Sequence, residues 1–394
     1  MTQLKFSANI EDLKEKVMGS DLETMVKSTI VLILNECMEQ EREDYLQAAA
    51  YERTTERVDY RNGYYERELI MSLGSIKLTV PRTRFGDFSP SIFERYARYD
   101  QAFVMSMLEM FVNGVSTRKV TKIVNTLCGE TVSKSFVSNL TKKLDPIVNE
   151  WAQRPLHTLT LDFVFVDALY IKVRENQKVV SKAVYIAIAL DDEGYRHILG
   201  LHISHSENEE AWQTFFQQLI GRGVSSPKLV VSDAHNGLVN AIQKSFIGTS
   251  WQRCTVHFKR NIIVKMPKEG KKEAIKLLKQ IFDASSQKEA RQLRDQFLDD
   301  YGDQPSFQKA CKVLDEGFED AIQYLGDAIP ENFKTHVRST NSLERLNQEV
   351  RRREKIIRIF PNTQSAFRLV GATLMAYEEI IKHNPKKFRI WENK

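Results

Sequence analysis

The apolar residues of the N-terminal segment recur at the spacing of an α-helix. Between positions 13 and 37 they stand mostly three to five residues apart, so that they share one side of a helix. The segment is also acidic, because residues 1–50 contain ten acidic and five basic side chains. An acidic helix suits packing or self-association better than contact with a polyanion. We therefore expect residues 1–57 to form a helical segment with a role in dimerisation.

The next region, residues 58–99, has the pattern of a β-hairpin. Apolar and polar side chains alternate in steps of two through residues 64–82, around the pair Leu73 and Gly74. Proline lacks the backbone donor that a strand needs, so the pattern predicts a hairpin that stops at Pro81.

Residues 100–150 return to helical spacing and predict two short, capped helices. Ser116 can cap the first, a Cys-Gly-Glu break at 128–130 follows, and Ser133 can cap a second helix to about Leu144. Helices joined in this way are typical of a helix-turn-helix, although an ordinary helical hairpin has the same pattern. The second helix would present Lys134, Ser135, Ser138, Asn139 and Lys142 to a DNA groove.

From residue 151 the pattern is that of strands interspersed with helices. It predicts strands at 159–174, 182–191, 196–205, 228–232 and 251–256, and helices at 207–220 and 236–245. This order of elements, completed by a helix much later in the chain, is that of an α/β domain of the RNase H-like class. Residues 267–332 read as helical throughout, and would be an insertion that divides the core into residues 151–266 and 333–394.

Composition excludes several classes of protein. A chain of 394 residues with 42% hydrophobic and 28% charged residues can build two or three domains, and is neither disordered nor fibrous. The longest apolar run, 183–190, is too short to span a bilayer, and the N-terminus lacks a secretory signal pattern. Four scattered cysteines without a Cys-x-x-Cys pair favour a reduced, cytoplasmic protein.

Positive charge is concentrated in two segments. The net charge is +5, but the acidic N-terminal 50 residues leave an excess of basic groups elsewhere, most densely at 252–272 and 338–360. Such segments favour a polyanionic partner, most simply a nucleic acid. Solvated lysine- and arginine-rich helix faces would give the same composition.

Three acidic residues stand where this topology would bring them together. Asp167 lies inside an apolar strand, Asp233 directly follows a buried strand, and Glu344 lies on the late helix. A carboxylate within an apolar run is costly unless it is paired, exposed or bound to metal. Three converging carboxylates can hold two Mg²⁺ ions about 4 Å apart for phosphoryl transfer.

Each of these acids has a simpler structural alternative. Asp162 competes with Asp167 for the first strand, and since the two are five residues apart they point to opposite faces. Asp233 can serve as the N-cap of the helix that follows, and Asn341 with Glu344 can form a capping box.

Five segments resemble a known family. They are RNGYYERELIMSLGSIKLTVPRTRFGDFSP from Arg61, DALYIKVRE from Asp167, VVSDAHNGL from Val230, WQRCTVHFKRN from Trp251 and RSTNSLERLNQEVRRR from Arg338. They are similar to the mutator-type, MULE-like DDE transposases of bacterial insertion sequences. The resemblance implies that Asp167, Asp233 and Glu344 are a catalytic triad that binds Mg²⁺, for which Mn²⁺ would substitute.

The resemblance also implies accessory residues near this triad. The family has a Cys-x-x-His pair that is matched by Cys254 and His257. No second pair completes a zinc site, so we expect no zinc and a role near the catalytic acids. His235, two residues after Asp233, is a further candidate, and the absence of a Gly-rich phosphate loop implies no ATP requirement.

The resemblance thus implies an enzyme that binds the inverted-repeat ends of its element and target DNA as a homodimer or larger assembly. Activated water would cut the element end, and the freed 3′-hydroxyl would attack a second phosphodiester without a covalent enzyme intermediate. Phosphate contacts are predicted for Lys259, Arg260, Arg338, Arg351, Arg352 and Arg353.

Two alternatives remain open at this point. A catalytically silent DNA-binding repressor is disfavoured by the intact acids, and a structure-specific nuclease would cut without joining ends. The resemblance further implies a bacterial, nucleoid-associated enzyme that copies out circular intermediates.

Overall fold

A computed structural model describes four stretches of the chain, residues 22–71, 73–95, 101–128 and 132–384. The chain forms two compact units that divide after Thr141. No helix within those four stretches is long and apolar enough to cross a membrane.

In the N-terminal unit, one long helix packs on a hairpin. Helix α1 (Leu22–Leu46) lies against strands β1 (Arg61–Met71) and β2 (Gly74–Thr83). Met38 of the helix is buried together with Leu78 of the hairpin. The predicted helix is confirmed from residue 22 onward, and its first part falls outside the described residues.

The predicted hairpin is confirmed, but the prediction that it ends at Pro81 is wrong. Strand β2 continues to Thr83, and Pro81 stands opposite Tyr64 at the point where the pairing register shifts. A proline is tolerated at such an irregularity because the regular ladder of hydrogen bonds is already interrupted there.

The rest of this unit is helical, with α2 (Ser91–Arg95), α3 (Gln101–Val112), α4 (Thr117–Cys128) and α5 (Lys134–Thr141). Both predicted caps are confirmed, since Ser116 Oγ accepts from the Lys119 amide at 3.3 Å and Ser133 Oγ accepts from the Phe136 amide at 3.0 Å. The prediction that the second helix reaches Leu144 is wrong. An unbroken helix would point the Lys142 carbonyl at the nitrogen of Pro146, which has no hydrogen to donate.

The cap on α5 leads to a stability prediction. Replacing Ser133 with alanine removes the acceptor of the Phe136 amide and should destabilise α5 by about 1 kcal/mol. Amide hydrogen exchange should show this as faster exchange in the first turn of α5. Ser138→Ala, at an exposed position of the same helix, is the matched control and should leave that exchange unchanged or slightly slower.

The C-terminal unit is built on a sheet of five strands in the order β5-β4-β3-β6-β7. The strands are β3 (Leu161–Glu175), β4 (Lys178–Asp191), β5 (Arg196–Ser204), β6 (Leu229–Ser232) and β7 (Ser250–Arg253). The first three form an antiparallel meander, and β6 and β7 run parallel to β3. Four of the five predicted strands are confirmed with small changes of length.

The fifth predicted strand, 251–256, is too long. Strand β7 ends at Arg253 because the Cys254 amide makes the last bond to the sheet, to the Ser232 carbonyl at 2.8 Å. The next amide, of Thr255, donates instead to the Arg338 carbonyl at 2.9 Å. The chain therefore leaves the sheet here and begins a helix.

Helices of the C-terminal unit follow and interrupt these strands, and several of them pack on the two faces of the sheet. The helices of this unit are α6 (Leu144–Gln153), α7 (Glu209–Gly221), α8 (Asn236–Ser245), α9 (Thr255–Lys265), α10 (Lys271–Phe282), α11 (Gln287–Tyr301), α12 (Gln308–Ala321), α13 (Glu331–Val337), α14 (Asn341–Ile357) and α15 (Thr363–His383). Helices α7 and α8 pack on the face that carries Val164 and Val166, whereas α14 and α15 lie on the face that carries Phe165.

The helical prediction for residues 267–332 is confirmed by α10, α11, α12 and a 3₁₀ turn at Gln323–Leu325. Gln252 of β7 fixes this region to the sheet. Its buried side chain donates to the Ala321 carbonyl at 2.9 Å and accepts from the Tyr324 amide at 2.8 Å. Gly317 lets α12 approach closely, because a Cβ there would lie 2.1 Å from the Arg253 guanidinium.

Candidate active site

The three predicted acids come from three separate segments of the C-terminal unit. Asp167 lies within β3, Asp233 directly follows β6, and Glu344 lies at the start of α14. Strands β3 and β6 are parallel neighbours with Phe165 opposite Val231, so each aspartate stands two residues beyond that pair. The two aspartates therefore stand at the same level of adjacent strands, at the end of the sheet where binding groups collect.

Asp167 is held in place by two hydrogen bonds. Its Oδ1 accepts from the Ala168 amide at 2.8 Å, and its Oδ2 accepts from the Asn347 side chain at 2.7 Å. Burial and the nearby Asp233 carboxylate raise the pKa of Asp167 to about 7. A carboxyl with such a pKa carries an unfavourable charge near neutral pH, which a bound cation would relieve.

His257 lies between the other two acids. Its Nδ1 contacts Asp233 Oδ1, and its Nε2 lies 3.0 Å from Glu344 Oε1. The contact with Asp233, supported by Cys254, raises the pKa of His257 to about 10. The side chain is therefore an imidazolium at neutral pH, and its charge is shared between two carboxylates.

Cys254 positions the helix that carries Glu344. Its buried Sγ accepts hydrogen bonds from the amide and hydroxyl of Thr340, at 3.4 and 3.3 Å. Burial acts to raise the pKa of the Cys254 thiol, but bonds from His257 and Thr340 outweigh it and lower that pKa. Thr340 is the N-cap of α14, so the alternative of an Asn341–Glu344 capping box is wrong and the Glu344 carboxylate is free to face His257.

The alternatives for the aspartates also find no support. Asp162 pairs with Lys228 at 2.6 Å, away from the acidic group. The N-cap residue of α8 is His235, not Asp233. His235 itself is largely exposed, and its Nδ1 lies 3.9 Å from the carboxylate of Glu207.

Two further residues of the site were not predicted. Asn347 follows Glu344 by three positions on α14, a spacing that places both on one helix face, so the periodicity could have revealed it. Glu207 precedes α7 and adds negative charge that contributes to the raised pKa of Asp167. No spacing in the sequence connects Glu207 to the acids, because only the sheet brings them together.

The residues predicted to contact DNA differ in how exposed they are and in whether they pair with an acid. Exposed side chains on α5 and just after it are Lys134, Ser135, Ser138, Asn139 and Lys142. Arg260 is exposed on α9, whereas the neighbouring Lys259 is half-buried. Arg338 pairs with Asp283 at 2.9 Å.

The three consecutive arginines of α14 also differ in exposure and in pairing. Arg351 is partly exposed and donates to the Tyr170 carbonyl. Arg352 is exposed and pairs with Glu349 at 3.1 Å. Arg353 is buried, and its guanidinium lies 2.7 Å from the same Glu349 carboxylate, so in this conformation it does not face solvent.

The raised pKa of Asp167 leads to a prediction about stability. Its pKa is higher in the folded chain than in the unfolded one, so the folded state loses stability as pH rises from about 4 through about 7. Asp167→Asn should remove this loss and stabilise the metal-free protein by about 2 kcal/mol at pH 8, with no gain below pH 4. Thermal unfolding in EDTA across this range measures the difference. Asp162→Asn is the control and should lower stability slightly, because it breaks the exposed pair with Lys228.

A carboxylate cluster on an α/β sheet, flanked by basic helices, is typical of enzymes that act on nucleic-acid phosphodiesters. Comparison with known proteins narrows this class. The model of the Mutator family of transposases matches residues 1–383, and the chain belongs to that family. The resemblance drawn from the sequence motifs is thereby confirmed.

Named relatives of this chain are transposases that are similar in sequence over most or nearly all of its length. The transposase for insertion sequence element IS256 in transposon Tn4001 of Staphylococcus aureus is 49% identical, over 98% of this chain and 99% of its own length. The transposase for insertion sequence element ISRM5 of Rhizobium meliloti is 39% identical, over 90% of this chain and 88% of its own. That for IS1081 of Mycobacterium tuberculosis is 36% identical, over 84% and 79%.

Proposed function

We propose that this transposase cuts and joins DNA at the centre formed by Asp167, Asp233 and Glu344, with divalent metal ions bound to these carboxylates. The convergence of three distant acids around His257 is the observation that carries the proposal. The strands and flanking helices fit an RNase H-like core made of residues 151–266 and 333–394, with residues 267–332 inserted.

The donor atoms fit a hard divalent cation. The acids supply carboxylate oxygens, and the buried Oδ1 of Asn347 accepts no hydrogen bond in the described part of the chain. Oxygen donors of this kind are preferred by Mg²⁺ and Mn²⁺. Asp233, Cys254 and His257 also have ligand atoms within 4.8 Å of one another, but the Cys254 thiol already accepts two bonds from Thr340.

When bound, Mg²⁺ or Mn²⁺ would lower the pKa of an attacking water and stabilise charge on the oxygens of the phosphodiester. The chain itself supplies orientation. Asn347 and Ala168 fix the Asp167 carboxylate, and Cys254 fixes the start of the helix that carries Glu344. His257 neutralises the paired acids, which lets two carboxylates approach without full repulsion.

The region predicted as a helix-turn-helix is proposed to recognise DNA. The exposed polar and basic side chains of α5 suit contact with the inverted-repeat ends of the element, within a helix-turn-helix region at 100–150. The acidic segment 1–57 is proposed to support assembly of two or more copies on DNA.

The test is an in vitro reaction with the full chain and DNA that carries both ends of its element. We expect cleavage and joined ends that require Mg²⁺ or Mn²⁺ and disappear in EDTA. Nicks without joined ends would replace the proposal by that of a nuclease. End binding without any cleavage would replace it by that of a repressor.

Arg260 offers a separate test of phosphate contact. If its exposed guanidinium meets a phosphate, Arg260→Gln should weaken binding of all DNA sequences about equally. The slope of log affinity against log salt should become shallower by about 1. Filter binding or anisotropy at several salt concentrations measures both, and Arg260→Lys should retain the slope. An unchanged slope in the glutamine variant would remove Arg260 from the DNA interface.

A further inference from the structure

A cavity of about 250 Å³ lies beside the acidic centre, on the same face of the sheet. Its floor is apolar and includes Phe165 of β3 and Leu346 of α14. Phe165 is two residues before Asp167, and Arg345 on the cavity wall directly follows Glu344. The cavity is thus a separate space that shares one strand and one helix with the site of the acids.

The cavity wall carries positive charge that no acid neutralises. Arg196 and Arg345 both line it, and neither guanidinium lies within 4.0 Å of a carboxylate in the described stretches. The nearby Asp191 is already occupied by His197, at 2.8 Å. Burial lowers the pKa of Arg196, the nearby Tyr377 side chain acts to raise it, and the charge of Arg345 acts to lower it. Two unpaired guanidiniums that repel each other are a favourable place for an anion.

Hydrogen-bond donors stand at the same wall. Ser339 is only 6% exposed and lines the cavity. Asn341 and Ser342 belong to the first turn of α14, a helix of 17 residues, and also line the cavity. Amides in the first turn of a helix lack partners inside the helix, and they favour phosphate oxygens.

We propose that this cavity binds one nucleotide unit of a DNA strand. Its phosphate would lie against Arg196, Arg345 and the first turn of α14, and its sugar and base would lie over the apolar floor. A bare phosphate has no apolar surface to place against Phe165 and Leu346, which favours a nucleotide. That the bound nucleotide belongs to a DNA strand rests on the proposed function. Binding of a nucleotide by the cavity does not rest on it.

Calorimetric titration of the full chain with deoxyadenosine 5′-monophosphate in EDTA tests the cavity without any cleavage. We expect saturable binding that is about tenfold weaker in Arg196→Gln and in Arg345→Gln. Lys355→Gln, at an exposed position of the same helix outside the cavity, should bind as wild type does. Arg345 is itself exposed, so its variant keeps the test valid if Arg196→Gln fails to fold.

Inorganic phosphate and a single-stranded oligonucleotide of the element end distinguish the possible ligands. Phosphate should bind about tenfold or more weakly than the nucleotide, and equal affinity would overturn the role of the apolar floor. The oligonucleotide should displace the nucleotide, and failure to do so would overturn DNA as the source. No saturable binding of the nucleotide would overturn the site. Asp167 does not line the cavity, so Asp167→Asn should bind the nucleotide as wild type does. This result would show that nucleotide binding in the cavity does not depend on the proposed cleavage centre.

Discussion

Asp233→Asn and Glu344→Gln should each slow strand cleavage on the order of 10³-fold or more, while DNA binding stays within about twofold of wild type. Each change keeps the size of the side chain and removes one negative charge from the centre. The proposed metal ions would lose a ligand, so stabilisation of the reacting phosphodiester would fall. Single-turnover cleavage of labelled element ends, at saturating protein and fixed Mg²⁺, isolates the chemical step from binding.

Asp162→Asn is the matched control for these variants. Asp162 lies on the same strand as Asp167 but pairs with Lys228 outside the acidic group. Its variant should cleave at close to the wild-type rate. Cleavage by Asp233→Asn at a rate near that of the control would mean that the catalytic centre lies elsewhere in the chain.

The position of the acids could be predicted because local pattern and topology both pointed to them. Asp167 interrupts a run of apolar residues whose burial the structure confirms, and Asp233 directly follows the short buried strand β6. Parallel pairing of β3 with β6 follows from the order of strands and helices, and it places both aspartates at one end of the sheet. The order of the elements in the sequence is therefore enough to predict where the two aspartates lie.

The contacts that organise the acids could not be predicted in the same way. The spacing of Cys254 and His257 marks them as a pair, but not that the thiol accepts from Thr340 or that the imidazole joins two carboxylates. Thr340 lies 86 residues after Cys254, and Glu344 lies 87 residues after His257. Only the packing of α14 against the sheet brings them together.

The surface was predicted least well, because composition does not report burial. Arg351, Arg352 and Arg353 are identical in residue type and adjacent in sequence. The helix nevertheless turns Arg353 inward onto Glu349 and leaves Arg352 exposed. The sequence does not single out Arg196 and Arg345 as an anion site. Their role in the cavity depends on having no carboxylate nearby, and this is visible only in the structure.

His257→Gln should lower the stability of the metal-free protein by about 2 kcal/mol at pH 7. The substitution removes the cation between Asp233 and Glu344 and leaves two neighbouring carboxylates without it. This loss is smaller than the roughly 3–5 kcal/mol that follows when a fully buried pair is broken, because this site is partly open to water. Thermal unfolding in EDTA, compared with unfolding in Mg²⁺, measures the effect. Added Mg²⁺ should stabilise the variant more than the wild type, because the metal would supply the missing positive charge.

The pH dependence separates this explanation from a simple loss of packing. The pKa of His257 rises from about 6.5 in the unfolded chain to about 10 in the folded one. Its contribution to stability is therefore complete below pH 6.5 and is lost as pH rises through 10. The gap between wild type and His257→Gln should close over that interval, whereas His235→Gln, beside Glu207 but largely exposed, should differ little from wild type at any pH. A gap that stays constant from pH 7 to 10 would mean that His257 acts by packing alone and that the acids are not held together by its charge.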